Sequence, residues 1–162
     1  MIFLGIDIGY DRCGFAVLEY AKGSRNPSIL SAGCITTSKE EDIFARLKSL
    51  SDDLVSIKNK YNPDYVSIEK LFFNRKNSTF EKVCMAKGVA GSIFSQCNIC
   101  EVEPNTMKKY ITGHGGANKK DIKIILEKIL SMNLDKMYDD TIDALCLALY
   151  HCDSVKIQNM AK

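Results

Sequence analysis

The apolar run Ile2-Phe3-Leu4-Gly5-Ile6 closes on a single carboxylate, Asp7, and Gly9 and Gly14 follow at once. A run of this length, rich in Ile, reads as a central strand buried on both faces. An ionised Asp7 inside such a strand would be costly, so the strand must end where solvent or a cation begins. Gly14 to Tyr20 then returns as a second strand. The same pattern recurs at Asp64–Glu69, where Val66 and Ile68 share a face and Glu69 ends the run. Between the two lies the clearest helix, Glu40 to Tyr61, with Ile43, Leu47, Leu50, Leu54 and Ile57 on one stripe and Asn62-Pro63 as its stop. Strand, helix, strand is a parallel crossover, so Asp7 and Glu69 should leave the sheet at one edge. Open sheets carry their chemistry just beyond strand ends. Asp and Gly are also ordinary hairpin residues, and a plain turn is the competing role for Asp7.

The remaining elements are read around this unit. Pro27–Thr36 is a third strand and Asn98–Glu103 a fifth, while Thr79 to Gln96 is a helix interrupted by Gly88 and Gly91. Each of those glycines costs ~1 kcal/mol relative to Ala, which suits close packing against another helix or a subunit. Pro104 opens a short helix through Ile111, and the loop Thr112–Asn118 leads to a helix begun by Lys119-Lys120 with Ile122, Ile125, Leu126, Ile129 and Leu130 as its stripe. Tyr138 to Tyr150 is an apolar helix with acids crowded into its first turns. Residues 1–152 are expected to form one domain, with 153–162 as a C-terminal tail.

Of 162 residues, 46% are hydrophobic, yet no apolar run approaches the ~20 residues needed to span a bilayer. The start lacks a basic leader region, so a cytoplasmic protein without membrane association is expected. The seven cysteines are odd in number and scattered, which resembles no disulfide framework; Cys97 and Cys100 form one CxxC, with no second pair to complete a zinc site. Net charge is only +2, but Lys70 to Lys128 holds eleven Lys and Arg against five Asp and Glu. Such asymmetry points to a polyanion partner for the middle of the chain, or to a solvated basic face.

Asp140 and Asp143 are three apart and share a helix face. Asp139 reads as a dipole partner at the helix start. Asp143 lies a turn further in, flanked by Ile142, Ala144 and Leu145 with no Lys or Arg within a turn, and so lacks a local partner. If Asp7, Glu69, Asp140 and Asp143 meet, each pair at ~4 Å repels by ~4 kcal/mol at an effective dielectric of about 20. Such a cluster takes up protons unless a cation sits within it. An all-oxygen ligand set with open positions selects Mg²⁺ or Mn²⁺, and two such ions suit hydrolysis of a phosphodiester. Leu71-Phe72-Phe73 beside Glu69 is either a staple under a loop or a stacking surface for bases.

In this order the acids resemble the RuvC family of Holliday-junction resolvases. The likeness lies in Gly5-Ile-Asp7-Ile-Gly9, Ile68-Glu69-Lys-Leu-Phe72-Phe73, Ala86-Lys-Gly-Val-Ala90, Thr112-Gly-His-Gly-Gly-Ala-Asn-Lys119 and Asp139-Asp140-Thr-Ile-Asp143-Ala-Leu145. It covers roughly residues 1–152. The resemblance implies an α/β, RNase H-like fold, a five-stranded mixed sheet flanked by helices on both faces. It implies a homodimer that nicks opposite strands of a four-way DNA junction, in recombination and repair. Asp7, Glu69, Asp140 and Asp143 would be the catalytic, metal-binding acids, taking two Mg²⁺ with Mn²⁺ able to substitute. Phe72 matches the aromatic that probes opened bases, and Lys108 and Lys119 match phosphate-contacting lysines. Phe73 extends that aromatic surface, and Arg75, Lys76, Lys109 and Lys120 join the DNA-binding set on local charge alone. A branch-migration motor is a further partner that the resemblance raises without deciding. The chain departs from the family at Ile8, Asp11 and Lys87, none of them one of the four acids.

Two other readings share these residues. Actin-like ATPases and sugar kinases open alike but need a second lobe, for which 162 residues leave no room. A related RNase H-like nuclease acting on other branched DNA or on RNA would use the same acids.

Overall fold

The structure, a computed structural model, describes residues 1–72 and 79–160. Its elements in chain order are β1 (Ile2–Asp7), β2 (Arg12–Glu19), β3 (Ser28–Thr36), α1 (Ile43–Tyr61), β4 (Tyr65–Glu69), α2 (Phe80–Ile93), β5 (Asn98–Val102), α3 (Pro104–Thr112), α4 (Lys119–Leu130) and α5 (Asp139–Met160). The strands form one mixed sheet in the order β3-β2-β1-β4-β5. β1 runs antiparallel to β2 and parallel to β4, as the crossover requires, and β5 joins β4 in parallel.

Alternation along β1 divides the core into two layers. Leu4 and Ile6 face α1 and α2, packing with Leu50, Leu54, Ala86, Ala90 and Phe94. Phe3 faces the other way, among Ala144, Leu145 and Ala148 of α5 and Ile122 and Leu126 of α4. α5 is buried almost all round from Thr141 to Cys152, which explains why its sequence shows no amphipathic stripe.

Local chemistry sets the helix ends. α1 starts at Ile43 rather than near Glu40 because the Asp42 carboxylate accepts hydrogen bonds from the Phe44 and Ala45 amides, at 2.7 and 3.0 Å. Its buried face includes Arg46, a charge set between Ile43 and Leu50 on the apolar stripe. α4 begins with a capping box, Asn118 accepting from the Lys120 and Asp121 amides while Asp121 accepts from the Asn118 amide. That cap sets Lys119 and Lys120 in the first turn. Residues 153–160, read from sequence as a tail, continue α5, with Val155 buried and the Lys156 ammonium 4.6 Å from the Tyr20 ring centroid. A Cβ on Gly88 or Gly91 would meet nothing within 4 Å, so no helix among the described residues makes the close approach expected there. All seven cysteines are free, and no described helix is long and apolar enough to cross a membrane.

Candidate active site

β1 and β4 run parallel with Ile6 beside Ile68, so the next residues, Asp7 and Glu69, emerge together at one sheet edge. Both lie on the face covered by α5, since their neighbours Phe3 and Tyr65 pack there. Two glycines bring α5 down onto that edge. A Cβ on Gly5 would stand 2.0 Å from the Ala144 carbonyl oxygen, and one on Gly14 would stand 1.9 Å from that of Asp140. Gly14 is the register partner of Asp7 across the hairpin. Backbone contact at these two points lowers the first turns of α5, and with them Asp140 and Asp143, over the strand ends.

The charges respond as crowded acids should. Asp7 is pushed up to about 8, first by burial and then by the fields of Asp143, Glu69 and Asp140, with Lys119 opposing. Glu69 is raised by burial and by Asp143, against Lys108 and Lys87. Burial also raises Asp143, with Lys119 opposing and Asp139 and Asp140 adding to the shift. Asp139 behaves differently: its ion pair with Lys119, at 2.9 Å, holds it below the usual carboxylate range. Asp140 Oδ2 is buried without a hydrogen-bond donor. Arg12 Nε stands 3.0 Å from that oxygen, close enough for an ion pair but off the line of a hydrogen bond.

This donor set suits a hard divalent cation: four carboxylates, mutual repulsion, and a buried oxygen lacking a donor. The acids are not drawn in to a single point. Among the described residues no three His, Cys, Asp or Glu side chains are gathered closely enough to hold a metal ion as they stand.

A basic rim surrounds the acids. Lys119, Lys120 and Lys123 line a cavity of about 110 Å³ with Asp139 and Asp143. Lys108, on α3, is near enough to lower both Glu69 and Asp143. Lys109 is exposed at the neighbouring position and has no described contact with the acids. Phe72, three residues beyond β4, is 57% exposed, with the Lys70 ammonium 5.6 Å from its ring centroid. Phe73, Arg75 and Lys76 lie outside the described residues.

Sequence reasoning missed three cations near the site. Lys87 donates to the Glu69 carbonyl at 3.0 Å and pairs with Glu101 at 2.9 Å. Arg12 meets Asp140, and Arg46 ties down the loop between β1 and β2 through Thr37, Tyr10 and Asp11. The hairpin at Gly9–Gly14 was visible in sequence, but not which of Asp11 and Arg12 turns toward the acids. Arg46, a charge on the apolar face of α1, is the one signal in the sequence.

A family model described as crossover junction endodeoxyribonuclease RuvC matches residues 3–151. Proteins of that description from Brachyspira hyodysenteriae and Halothermothrix orenii are similar to this chain. The first is 37% identical over 164 aligned positions covering 100% of both chains. The second is 34% identical over 160 positions covering 97% of this chain and 95% of the relative. The solved structure of T. thermophilus RuvC in complex with Holliday junction substrate superposes with a TM-score of 0.88, at 25% identity, over 98% of this chain and 96% of that one. The likeness and the sheet order together make this an RNase H-like fold. Matched along nearly its whole length in sequence and in backbone, the chain belongs to the RuvC family of crossover junction endodeoxyribonucleases.

Proposed function

We propose that this protein is a metal-dependent endodeoxyribonuclease that resolves four-way DNA junctions by paired, symmetric nicks. The observation that carries the reading is the crowding of Asp7, Glu69, Asp140 and Asp143 at one sheet edge, where burial and the other three acids push Asp7 up to about 8, beside a lysine-lined cavity that includes Asp143. These four residues would hold Mg²⁺, two ions per site, with Mn²⁺ as a substitute. When bound, such ions supply an activated water and stabilise the leaving oxygen. Lys119 and Lys108, whose fields reach Asp143, set a phosphate against the acids, and Lys120 extends the positive rim along the strand. Phe72, exposed beside Glu69, stacks on an unpaired base at the crossover. Lys109, Arg75, Lys76 and Phe73 complete the DNA surface.

The working unit is a homodimer, because a twofold assembly matches a twofold junction and places one site on each cut strand. The exposed face of α2, with Cys84, Met85 and open space above Gly88, supports it as the contact. The test is incubation with a synthetic four-way junction, with and without Mg²⁺, beside linear duplex, flap and RNA–DNA hybrid. Paired nicks confined to the junction and to the metal-containing reactions are expected. Equal cutting of the hybrid or the flap would overturn junction selectivity.

A further inference from the structure

Arg12 stands at the start of β2 with a tip that is loosely held and a base that is firmly held. Its Nε is 3.0 Å from the buried, otherwise donor-less Asp140 Oδ2, yet its side chain is 51% exposed. The guanidinium carbon also lies 5.6 Å from the Tyr138 ring centroid. Neither contact fixes a long side chain in one rotamer. The loop behind it is braced by Arg46, which is 5% exposed. That guanidinium donates to Thr37 Oγ1 at 2.9 Å and to the Tyr10 carbonyl at 3.4 Å, pairs with Asp11, and lies 3.7 Å from the Tyr10 ring centroid. A groove of about 220 Å³ opens beside Asp140, lined by Gly9, Tyr10, Arg12, Thr79, Val83 and Asp11, whose carboxylate is paired with Arg46.

We propose that Arg12 and a divalent cation exchange at Asp140. The guanidinium neutralises this carboxylate in the metal-free protein and yields it when metal enters, swinging into the groove, where a strand phosphate would receive it. The inference rests on the reading of the four acids as metal ligands. Asp140 Oδ2, the oxygen that Arg12 faces, cannot serve the guanidinium and a divalent ion at once, so a metal that takes this oxygen displaces Arg12. While Arg12 holds Asp140, only the remaining fraction of molecules presents a complete ligand set, and the apparent metal affinity falls by that fraction. The exchange keeps a cationic partner at Asp140 in both states and hands the released guanidinium to the substrate.

The experiment is a Mn²⁺ titration without DNA, with the free ion followed by its electron paramagnetic resonance signal. Wild type, Arg12→Gln and Arg12→Ala are compared, with Asp7→Asn defining non-site binding, and thermal unfolding in chelator shows that each variant is folded. Both Arg12 variants should bind Mn²⁺ about three- to fivefold more tightly than wild type. Unchanged or weaker binding in both would overturn the exchange and make Arg12 a fixed orienter of Asp140. Indistinguishable binding by wild type and Asp7→Asn would instead overturn the metal-site reading, and the exchange with it.

Discussion

Asp7 is the residue on which the chemistry and the stability of the site are most closely linked. Asp7→Asn should reduce junction cutting by at least about a thousandfold while leaving binding within about threefold, because the basic rim is untouched. Gel-shift and cleavage assays on one junction separate the two effects. The same variant tests the crowding. Asp7 has its folded pKa raised from 3.8 to about 8, so between those values the folded state binds more protons than the unfolded one. Its contribution is therefore full below about pH 4 and is lost as pH rises toward 8, with a slope of at most ~1.4 kcal/mol per pH unit. In chelator, the melting temperature of wild type should fall between pH 5 and pH 8, and Asp7→Asn should lack most of that fall. Equal slopes in calorimetry would show that Asp7 ionises freely. Phe72 offers a second test: its 57% exposure predicts that Phe72→Ala leaves the melting temperature unchanged and lowers the nicking rate about tenfold, more than it lowers affinity. A drop in stability with normal nicking would return Phe72 to a packing role.

The element that builds the site is α5, and its seat depends on what is missing from the strands beneath it. Gly5 is where the sheet meets the Ala144 carbonyl and the Ala148 amide, so Gly5→Ala drives a methyl into backbone that cannot rotate away. We expect a loss of about 1–3 kcal/mol in denaturant unfolding. Cutting should fall further than stability does, because lifting α5 carries Asp140 and Asp143 away from Asp7. Full activity in a destabilised Gly5→Ala would show that the acids do not depend on this contact. α1 acts on the site indirectly: Arg46 spans from the buried helix face to Tyr10 and Asp11 and holds the hairpin loop in place. Periodicity identifies the apolar stripe of α1 through Leu50, Leu54 and Ile57 and puts Arg46 on that face, but the partners that let it be buried come from another element. The extension of α5 through Met160 was hidden for a similar reason, because polar residues after Cys152 look like a tail until Val155 is seen packed in the core.

For the whole molecule, the question is what covers α2. Gly88 and Gly91 weaken this helix, and no described residue comes near the Cβ positions they leave open. Gly88→Gln should therefore leave the monomer as stable as before, or more so by up to ~1 kcal/mol, while weakening the proposed self-association about tenfold or more in analytical ultracentrifugation. An unchanged dimer would move the interface elsewhere. At this scale the division between sequence and structure is clear. The sequence by itself determined the alternation of strands and helices, the parallel pairing of β1 with β4, and the placing of Asp7 and Glu69 at one edge, because periodicity and crossover geometry are local or nearly local constraints. It also singled out Asp140 and Asp143 as one helix face. Only the tertiary structure decided that this face comes down onto the strand ends, since that depends on Gly5 and Gly14 meeting the α5 backbone across more than a hundred residues of chain. It alone decided that Arg12, rather than its neighbour Asp11, turns toward Asp140, because the direction of a hairpin side chain depends on Arg46 and the groove around it rather than on the residues beside it.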